Sequence, residues 1–354
     1  MKKNILISTG GSGGHVVPAT ILLDHLTKSM NVFITTDKRG LRYLDKKILQ
    51  YEIIDTPKLN NIFFLPINFF IILFLILKSF IFLKQKKIDK VFSTGGYMSL
   101  PLVLAANLLN LEIYLLEPNH ILGRANKFFL NYSKKIFCYT QKIKNFPDDF
   151  TNKIVSINPL VKQKTYNLIS SNIKKKKFTL LVVGGSQGAE IFDKNLKNSI
   201  VNISKIMPIR VIQQTNEKNI SFLTDFYTKN NIENKIFSYD KNFINMIIQS
   251  DLCITRAGAS TLAELSLINL PFIAVPLPSS KDNHQLENAN FYEGKNCCWV
   301  VEQKNFEENI EKLLKTIFLD KKEYLEKKQN LKKLNFKNTW IDVNKKILGT
   351  LNEN

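Results

Sequence analysis

Two glycine-rich turns, one near the start of the chain and one near its middle, each follow a short apolar run and lead into a helical pattern. The first is Gly10–Gly11–Ser12–Gly13–Gly14–His15, entered from Asn4–Ser8 and left by a helix to about Ser29. The second is Gly184–Gly185–Ser186–Gln187–Gly188, entered from Thr179–Val183 and left by a helix from Ala189. A buried strand that turns through glycines into a helix opens a parallel α/β sheet, because glycine permits the sharp turn and the close helix–strand approach. Apolar strands then alternate with helices: Val32–Thr36, Lys90–Ser93 and Ile113–Leu116 in the first half, Ile209–Gln213, Leu252–Thr255 and Phe272–Val275 in the second. The expected class is α/β, with two parallel-sheet domains.

The chain has 354 residues, enough for two domains of ordinary size. The first is expected over 1–161. Lys162–Lys177 is polar, ends in four lysines and reads as an exposed linker. The second domain is expected over 178–334. A last helix at about 335–354, with Trp340 and Ile347 as apolar anchors, is expected to pack back on the first domain.

The formal charge is +20, but five of the 50 basic residues are arginine. Lysine-rich solvation explains this as well as attraction to an anionic membrane leaflet or a phosphorylated substrate. No basic stretch is interleaved with stacking aromatics, so a nucleic-acid partner is not expected. Cys138, Cys253, Cys297 and Cys298 form no CxxC pair, which argues for a reducing compartment and against zinc. The apolar run at Ile5–Ile7 is too short for a signal peptide, and the protein is expected in the cytoplasm.

Ile62–Leu83 is the most apolar segment and about long enough to span a bilayer, which takes roughly 20 residues. Pro66, Asn68 and Lys78 interrupt it, and Lys90–Ser93 returns directly to the sheet. A single crossing would divide one sheet between two sides of the membrane. The seven phenylalanines between Phe63 and Phe82 exceed what a core helix ordinarily buries. Lys58, Lys78, Lys84, Lys86 and Lys87 flank or interrupt them. The expectation is a helix lying on an anionic leaflet, with a buried core helix as the competing reading.

The first glycine turn is a weak signal by itself. Asp37 near the end of the second strand gives it a dinucleotide-site companion, though the spacing is not a clean GxGxxG. His15 is either a packed histidine or a general base suited to neutral pH. The turn Arg256–Ala257–Gly258–Ala259–Ser260–Thr261 leads into a helix whose amides and hydroxyls can hold a diphosphate, with Arg256 as a cation. Glu264, one turn on, can accept from ribose hydroxyls, or is an ordinary first-turn acid. Asp282–Asn283–His284–Gln285 places amide and imidazole donors after a strand, where sugars bind in open α/β sheets. No Asp-x-Asp pair occurs, so neither a metal nor another cofactor is expected.

Taken in order, STGGSGGHVVPA at the start, STGGYMSLP at 93–101, EPNHILGRANK at 117–127, GGSQGA at 184–189, RAGASTLAE at 256–264 and DNHQLENA at 282–289 resemble the MurG family. The resemblance covers nearly the whole chain. It implies the GT-B fold, two Rossmann-like domains with parallel sheets facing a cleft. It also implies inverting transfer of GlcNAc from UDP-GlcNAc to the C4 hydroxyl of undecaprenyl-diphospho-N-acetylmuramoyl-pentapeptide, which converts lipid I to lipid II on the cytoplasmic membrane face. By position it implies His15 as the base. Ser12, Gly13, Gly14, Asn119, Ser186, Arg256, Ala259, Ser260, Thr261, Leu262, Glu264, His284 and Gln285 would meet the donor. Gly11, Gly14, Gly95, Gly96 and Tyr97 would meet the acceptor. Two places depart from the family pattern: Leu116–Glu117–Pro118–Asn119 replaces His-Glu-Gln-Asn, and Val161 stands where a donor-contacting arginine is usual, with Lys162 next to it. Three other readings stay open: a GT-B transferase for another lipid acceptor such as diacylglycerol, a UDP-GlcNAc 2-epimerase, and an NAD-binding or non-catalytic nucleotide-binding protein.

Overall fold

Successive apolar residues of the strand that opens each half point to opposite faces, and that alternation sets the layers. A computed structural model describes residues 2–44, 51–57, 64–168, 177–185, 190–240 and 242–353. The chain divides into two units, Met1–Gln163 with Trp340–Asn354, and Lys164–Thr339.

In the first unit the order is β1 (Asn4–Ser8), α1 (Gly13–Leu26), β2 (Asn31–Thr36), β3 (Tyr51–Ile53), α2 (Leu65–Gln85), β4 (Lys90–Ser93), α3 (Leu100–Leu108), β5 (Glu112–Glu117), α4 (Arg124–Phe129), β6 (Lys135–Cys138) and β7 (Ile154–Ser156). The strands run parallel in the order β3-β2-β1-β4-β5-β6-β7. Ile5 and Ile7 join the core on one face of this sheet, while Leu6 joins the core under α2, α3 and α4 on the other.

The second unit begins within α5 (Gln163–Leu168), at Lys164, and continues with β8 (Phe178–Val183), α6 (Glu190–Asn195), α7 (Lys197–Ser204), β9 (Ile209–Gln214), α8 (Ile220–Lys229), β10 (Glu233–Phe237) and α9 (Phe243–Gln249). It continues with β11 (Leu252–Thr255), α10 (Ala259–Leu267), β12 (Phe272–Ala274), α11 (His284–Glu293), β13 (Cys298–Val300), α12 (Phe306–Leu319) and α13 (Lys321–Leu334). The parallel order is β10-β9-β8-β11-β12-β13. Leu180 and Val182 face one core, Leu181 and Val183 the other.

Both sheets therefore step outward from their first strand in one direction and then reverse. Ligands of such sheets bind at the carboxyl ends of the strands where the order reverses. Here those are β1 and β4 in one unit, β8 and β11 in the other.

The last helix, α14 (Trp340–Asn352), belongs to the first unit. Val343, Ile347 and Leu351 complete the core shared by α1 and the sheet. The Trp340 ring stacks on His25 of α1, with centroids 3.5 Å apart. The segment read as an exposed linker is helical in part: Thr165 is buried and Tyr166 donates to Asn338 Oδ1 at 3.1 Å. Residues 169–176 of that segment lie outside the described residues.

Pro66 opens α2 rather than breaking it, since the first helical turn lacks carbonyl partners for its N–H groups anyway. Ile62 and Phe63 lie outside the described residues. Asn68, Ile72, Leu75, Ser79 and Leu83 form one buried stripe at helical spacing. The opposite face is bare: Phe70 is 69% exposed and Phe74 65%, with Ile67, Phe69, Leu73, Leu77 and Ile81 also exposed, while Ile76, Phe80 and Phe82 pack half-buried beside the stripe. Among the described residues this is the one helix long and apolar enough to cross a membrane. Lys78, expected at a headgroup surface, instead pairs with Glu52 at 2.7 Å and donates to the Ile53 carbonyl, tying α2 to β3. Lys84, Lys86 and Lys87 are exposed at its end.

Candidate active site

The first glycine turn is held from beneath by Asp37, which follows β2 and is fully buried. Its Oδ1 accepts from the amides of Gly11 at 2.7 Å and Gly40 at 2.8 Å. Its Oδ2 accepts from Arg39 Nε at 2.8 Å and Nη2 at 2.6 Å. Burial pushes this carboxyl up, but the amide and guanidinium donors outweigh it and hold Asp37 below its ordinary range. Four bonds exhaust a carboxylate's acceptor positions, so Asp37 is not the ribose-binding acid of a dinucleotide site.

Gly11 at φ +76° and Gly96 at φ +83° both lie in the left-handed region. A Cβ on Gly11 would fall 2.6 Å from Met98 Cε, and one on Gly96 would fall 2.7 Å from the same atom. Met98 is thus a wedge between the turns after β1 and β4, and both glycines are required by it. Ser12 caps α1 with extended backbone and no side-chain hydrogen bond. The positive end of the helix therefore meets solvent at Ser12 and Gly14, both exposed, while Gly13 is buried.

His15, in the first turn of α1, is half-buried, with Nδ1 2.7 Å from the Thr94 carbonyl oxygen. A carbonyl only accepts, so Nδ1 carries the proton and the neutral ring has its lone pair on Nε2. Nε2 lies on the side of the Gly96 turn, 3.5 Å from where a Cβ on Gly96 would sit. Tyr97, half-buried, accepts at its hydroxyl from Arg39 Nη2, and the guanidinium carbon lies 5.2 Å from its ring centre.

After β5, Glu117 is buried and organises the next turn. Its Oε1 accepts from the Asn119 amide and Asn119 Nδ2 at 3.2 and 3.0 Å, and its Oε2 from Gly123 N and Asn126 Nδ2 at 2.9 and 3.0 Å. Asn126 in turn stands against Gly95 (φ +86°), where a Cβ would come within 3.1 Å of Nδ2. Sequence reasoning gave Glu117, Asn126 and Arg39 no task. The available signal was a strand-ending carboxylate followed by glycine and asparagine six and nine residues later.

In the second unit, Gly258 caps α10 with extended backbone and no side chain, leaving Ala259, Ser260 and Thr261 half-buried in the first turn. Glu264 is half-buried one turn further on. Two residues expected at the donor are turned inward. Leu262 is fully buried in the core, and its N–H donates within the helix to Gly258 O. Arg256 is buried, donating to the carbonyls of Val275 and Pro276 at 3.1 and 3.3 Å and to Gln303 Oε1 at 2.6 Å. Its charge stays inside the unit, where burial lowers its basicity. Its geometry fastens the ends of β11 and β12 together.

Gln285 does the same across the next turn: its Oε1 accepts from Ala257 N and Leu277 N. Asn288 Nδ2 donates to Ala257 O at 3.1 Å. His284 starts α11 after two left-handed residues, Asp282 and Asn283, and its Nδ1 donates to Lys281 O at 2.8 Å. Gly185 is left-handed at φ +75°, and Ser186 lies outside the described residues. Among the described residues no group of three or more His, Cys, Asp or Glu side chains is placed to hold a metal ion.

Family models described as the glycosyltransferase family 28 N-terminal and C-terminal domains match residues 5–138 and 179–342. A Pelagibacter ubique protein named UDP-N-acetylglucosamine–N-acetylmuramyl-(pentapeptide) pyrophosphoryl-undecaprenol N-acetylglucosamine transferase is 46% identical over 357 residues, with 100% of both chains covered. A Rickettsia felis protein of the same name is 36% identical, over 90% of this chain and 91% of its own. Among solved structures, Acinetobacter baumannii MurG superposes with a TM-score of 0.77 at 22% identity, covering 99% of each chain. A UDP-GlcNAc 2-epimerase from Neisseria meningitidis gives 0.69 at 15% identity, covering 99% of this chain and 100% of its own. These likenesses to solved structures establish the fold, two Rossmann-like units.

Proposed function

We propose, from the premise that this chain belongs to the MurG family of family-28 glycosyltransferases, that it transfers GlcNAc from UDP-GlcNAc to lipid I and forms lipid II. The observation that carries this is identity at 46% along the entire chain with a relative named for that transfer. The epimerase likeness is one of fold at 15% identity.

The reaction is a single displacement. The acceptor's C4 oxygen attacks the anomeric carbon, the bond to UDP breaks, and the configuration inverts. His15 Nε2 takes the hydroxyl proton, since Nδ1 is committed to Thr94 O. UDP leaves with the bonding electrons, its diphosphate at the first turn of α10 on Ala259, Ser260 and Thr261. Glu264 accepts from the ribose hydroxyls. His284, Gln285 and Asn119 recognise the sugar, with Ser12, Gly13, Gly14 and Ser186 beside the diphosphate and sugar. Arg256 and Leu262 support this site from inside. Gly11, Gly14, Gly95, Gly96 and Tyr97 receive the acceptor diphosphate and its sugar. No metal takes part.

The protein works at the cytoplasmic membrane face, with α2 lying on an anionic leaflet. Its exposed apolar surface and terminal lysines favour this. Both flanking strands, β3 and β4, belong to one parallel sheet, which a membrane crossing between them would divide.

The test offers labelled UDP-GlcNAc with a lipid I analogue, with diacylglycerol, and with no lipid. Transfer to the lipid I analogue alone is the expected result. Transfer to diacylglycerol, or epimerisation without lipid, would replace this reading.

A further inference from the structure

Arg39 lies in the turn after β2 with its side chain 37% exposed, and its fork is divided between two partners. Nε and Nη2 both reach Asp37 Oδ2, and Nη2 also reaches the Tyr97 hydroxyl. Asp37 holds the Gly11 amide with its other oxygen. A continuous chain of bonds therefore runs from the glycine turn after β1, through Asp37 and Arg39, to the turn after β4. The Met98 wedge joins the same two turns a second time.

A guanidinium only donates, so the Tyr97 oxygen must accept, and the phenol's own proton points away from Arg39. Lysine could not do this, because its single nitrogen cannot offer two in-plane donors to a carboxylate and a third to a phenol. Resting on the acceptor assignment of the preceding subsection, we propose that Arg39 is a positioning residue for the acceptor. It fixes Tyr97 so that the phenol donates to a phosphate oxygen of the diphosphate seated on the Gly11–Gly14 turn. Arg39 acts through Tyr97; its Nε and Nη2 donors are already spent on Asp37 and the phenol.

The test measures initial rates for the wild type, Arg39→Ala, Arg39→Lys, Tyr97→Phe and the Arg39→Ala/Tyr97→Phe double variant. The lipid I analogue is varied at saturating UDP-GlcNAc, and then the reverse. Each single variant should raise the acceptor KM about tenfold, the worth of one charge-assisted or phosphate-directed hydrogen bond. The double variant should be no worse than the poorer single, with kcat and donor KM within about twofold of wild type. Tyr97→Phe leaves the Asp37–Arg39 pair and the glycine turn in place, and Arg39→Lys keeps a cation beside Asp37, so these two together decide the matter even if Arg39→Ala fails to fold. Multiplying effects in the double variant, wild-type behaviour of Arg39→Lys, or an unchanged acceptor KM in Tyr97→Phe would overturn the inference alone. No transfer by the wild-type chain would overturn the functional reading and this inference with it.

Discussion

Gln285 Oε1 stands 3.2 Å from the Ala257 amide and 3.0 Å from the Leu277 amide, so one side-chain oxygen joins the turns that follow β11 and β12. The amide nitrogen of the same side chain is then turned away from those backbone donors. This divides structural from recognition duty within a single residue. Gln285→Ala should lower stability by about 1–3 kcal/mol, because two N–H groups lose their acceptor, and should also weaken the donor. Gln285→Glu keeps the accepting oxygen and should melt like wild type while its donor KM rises. Equal loss of stability in both variants would contradict the division.

His15 is held by Thr94 in the tautomer that leaves Nε2 basic. His15→Ala should lower kcat by about 10²–10⁴, the usual worth of a general base. UDP should still raise the melting temperature of the variant as it does for wild type, since the proposed nucleotide site is on the other unit. Turnover that survives the substitution would remove His15 from the reaction.

His25 carries a pH dependence that is separate from catalysis. Burial against Trp340 lowers it to about 4, despite the opposing hydrogen bond to Asn344. The unfolded chain binds a proton near the ordinary value of 6.5 and the folded one does not, so the stabilisation is complete above pH 6.5 and is lost as pH falls toward 4. The loss is on the order of 3 kcal/mol at most. His120, also lowered to about 4 by burial, adds a second loss of the same sign. His25→Phe keeps a ring on Trp340 without titrating, and should remove about half of the acid-induced fall in melting temperature between pH 7 and 5.

On α2 the packed stripe and the bare face should separate cleanly. Phe70→Ser with Phe74→Ser should leave the melting temperature nearly unchanged and reduce sedimentation with vesicles containing an anionic lipid. Leu75→Ala or Leu83→Ala should instead cost about 2–5 kcal/mol by opening a cavity in the core. Unaltered vesicle binding by the phenylalanine pair would remove α2 as the membrane contact.

The strands at the centre of each sheet were legible because they are apolar and bounded by glycine turns: Asn4–Ser8, Lys90–Ser93 and Leu252–Thr255 fall where the sequence puts them. Most of those it did not reveal are short or peripheral, while the interior β6 is buried over three of its four residues but is followed by no glycine turn. β3 and β13 have three residues each, and β10 alternates exposed and half-buried positions at a sheet edge. Too few side chains face a core there to leave a pattern. The site was legible as turns but not as side-chain directions. Arg256 and Asp37 both have the chemistry of ligand-binding residues, and only the fold shows their charges facing backbone groups of their own unit. The inward stripe of α2 was hidden for a related reason, since a helix apolar all round gives periodicity nothing to register.

The core under α1 is closed by Val343, Ile347 and Leu351, residues separated from the rest of their unit by the whole of the second one. During synthesis the usual order, in which the N-terminal domain is finished first, is therefore reversed. The second unit has every residue it needs before the first has its last helix. Until translation reaches Leu351, the core beside α1 of the nascent first unit stays open. The half of the chain made first is the half that waits longest to be protected.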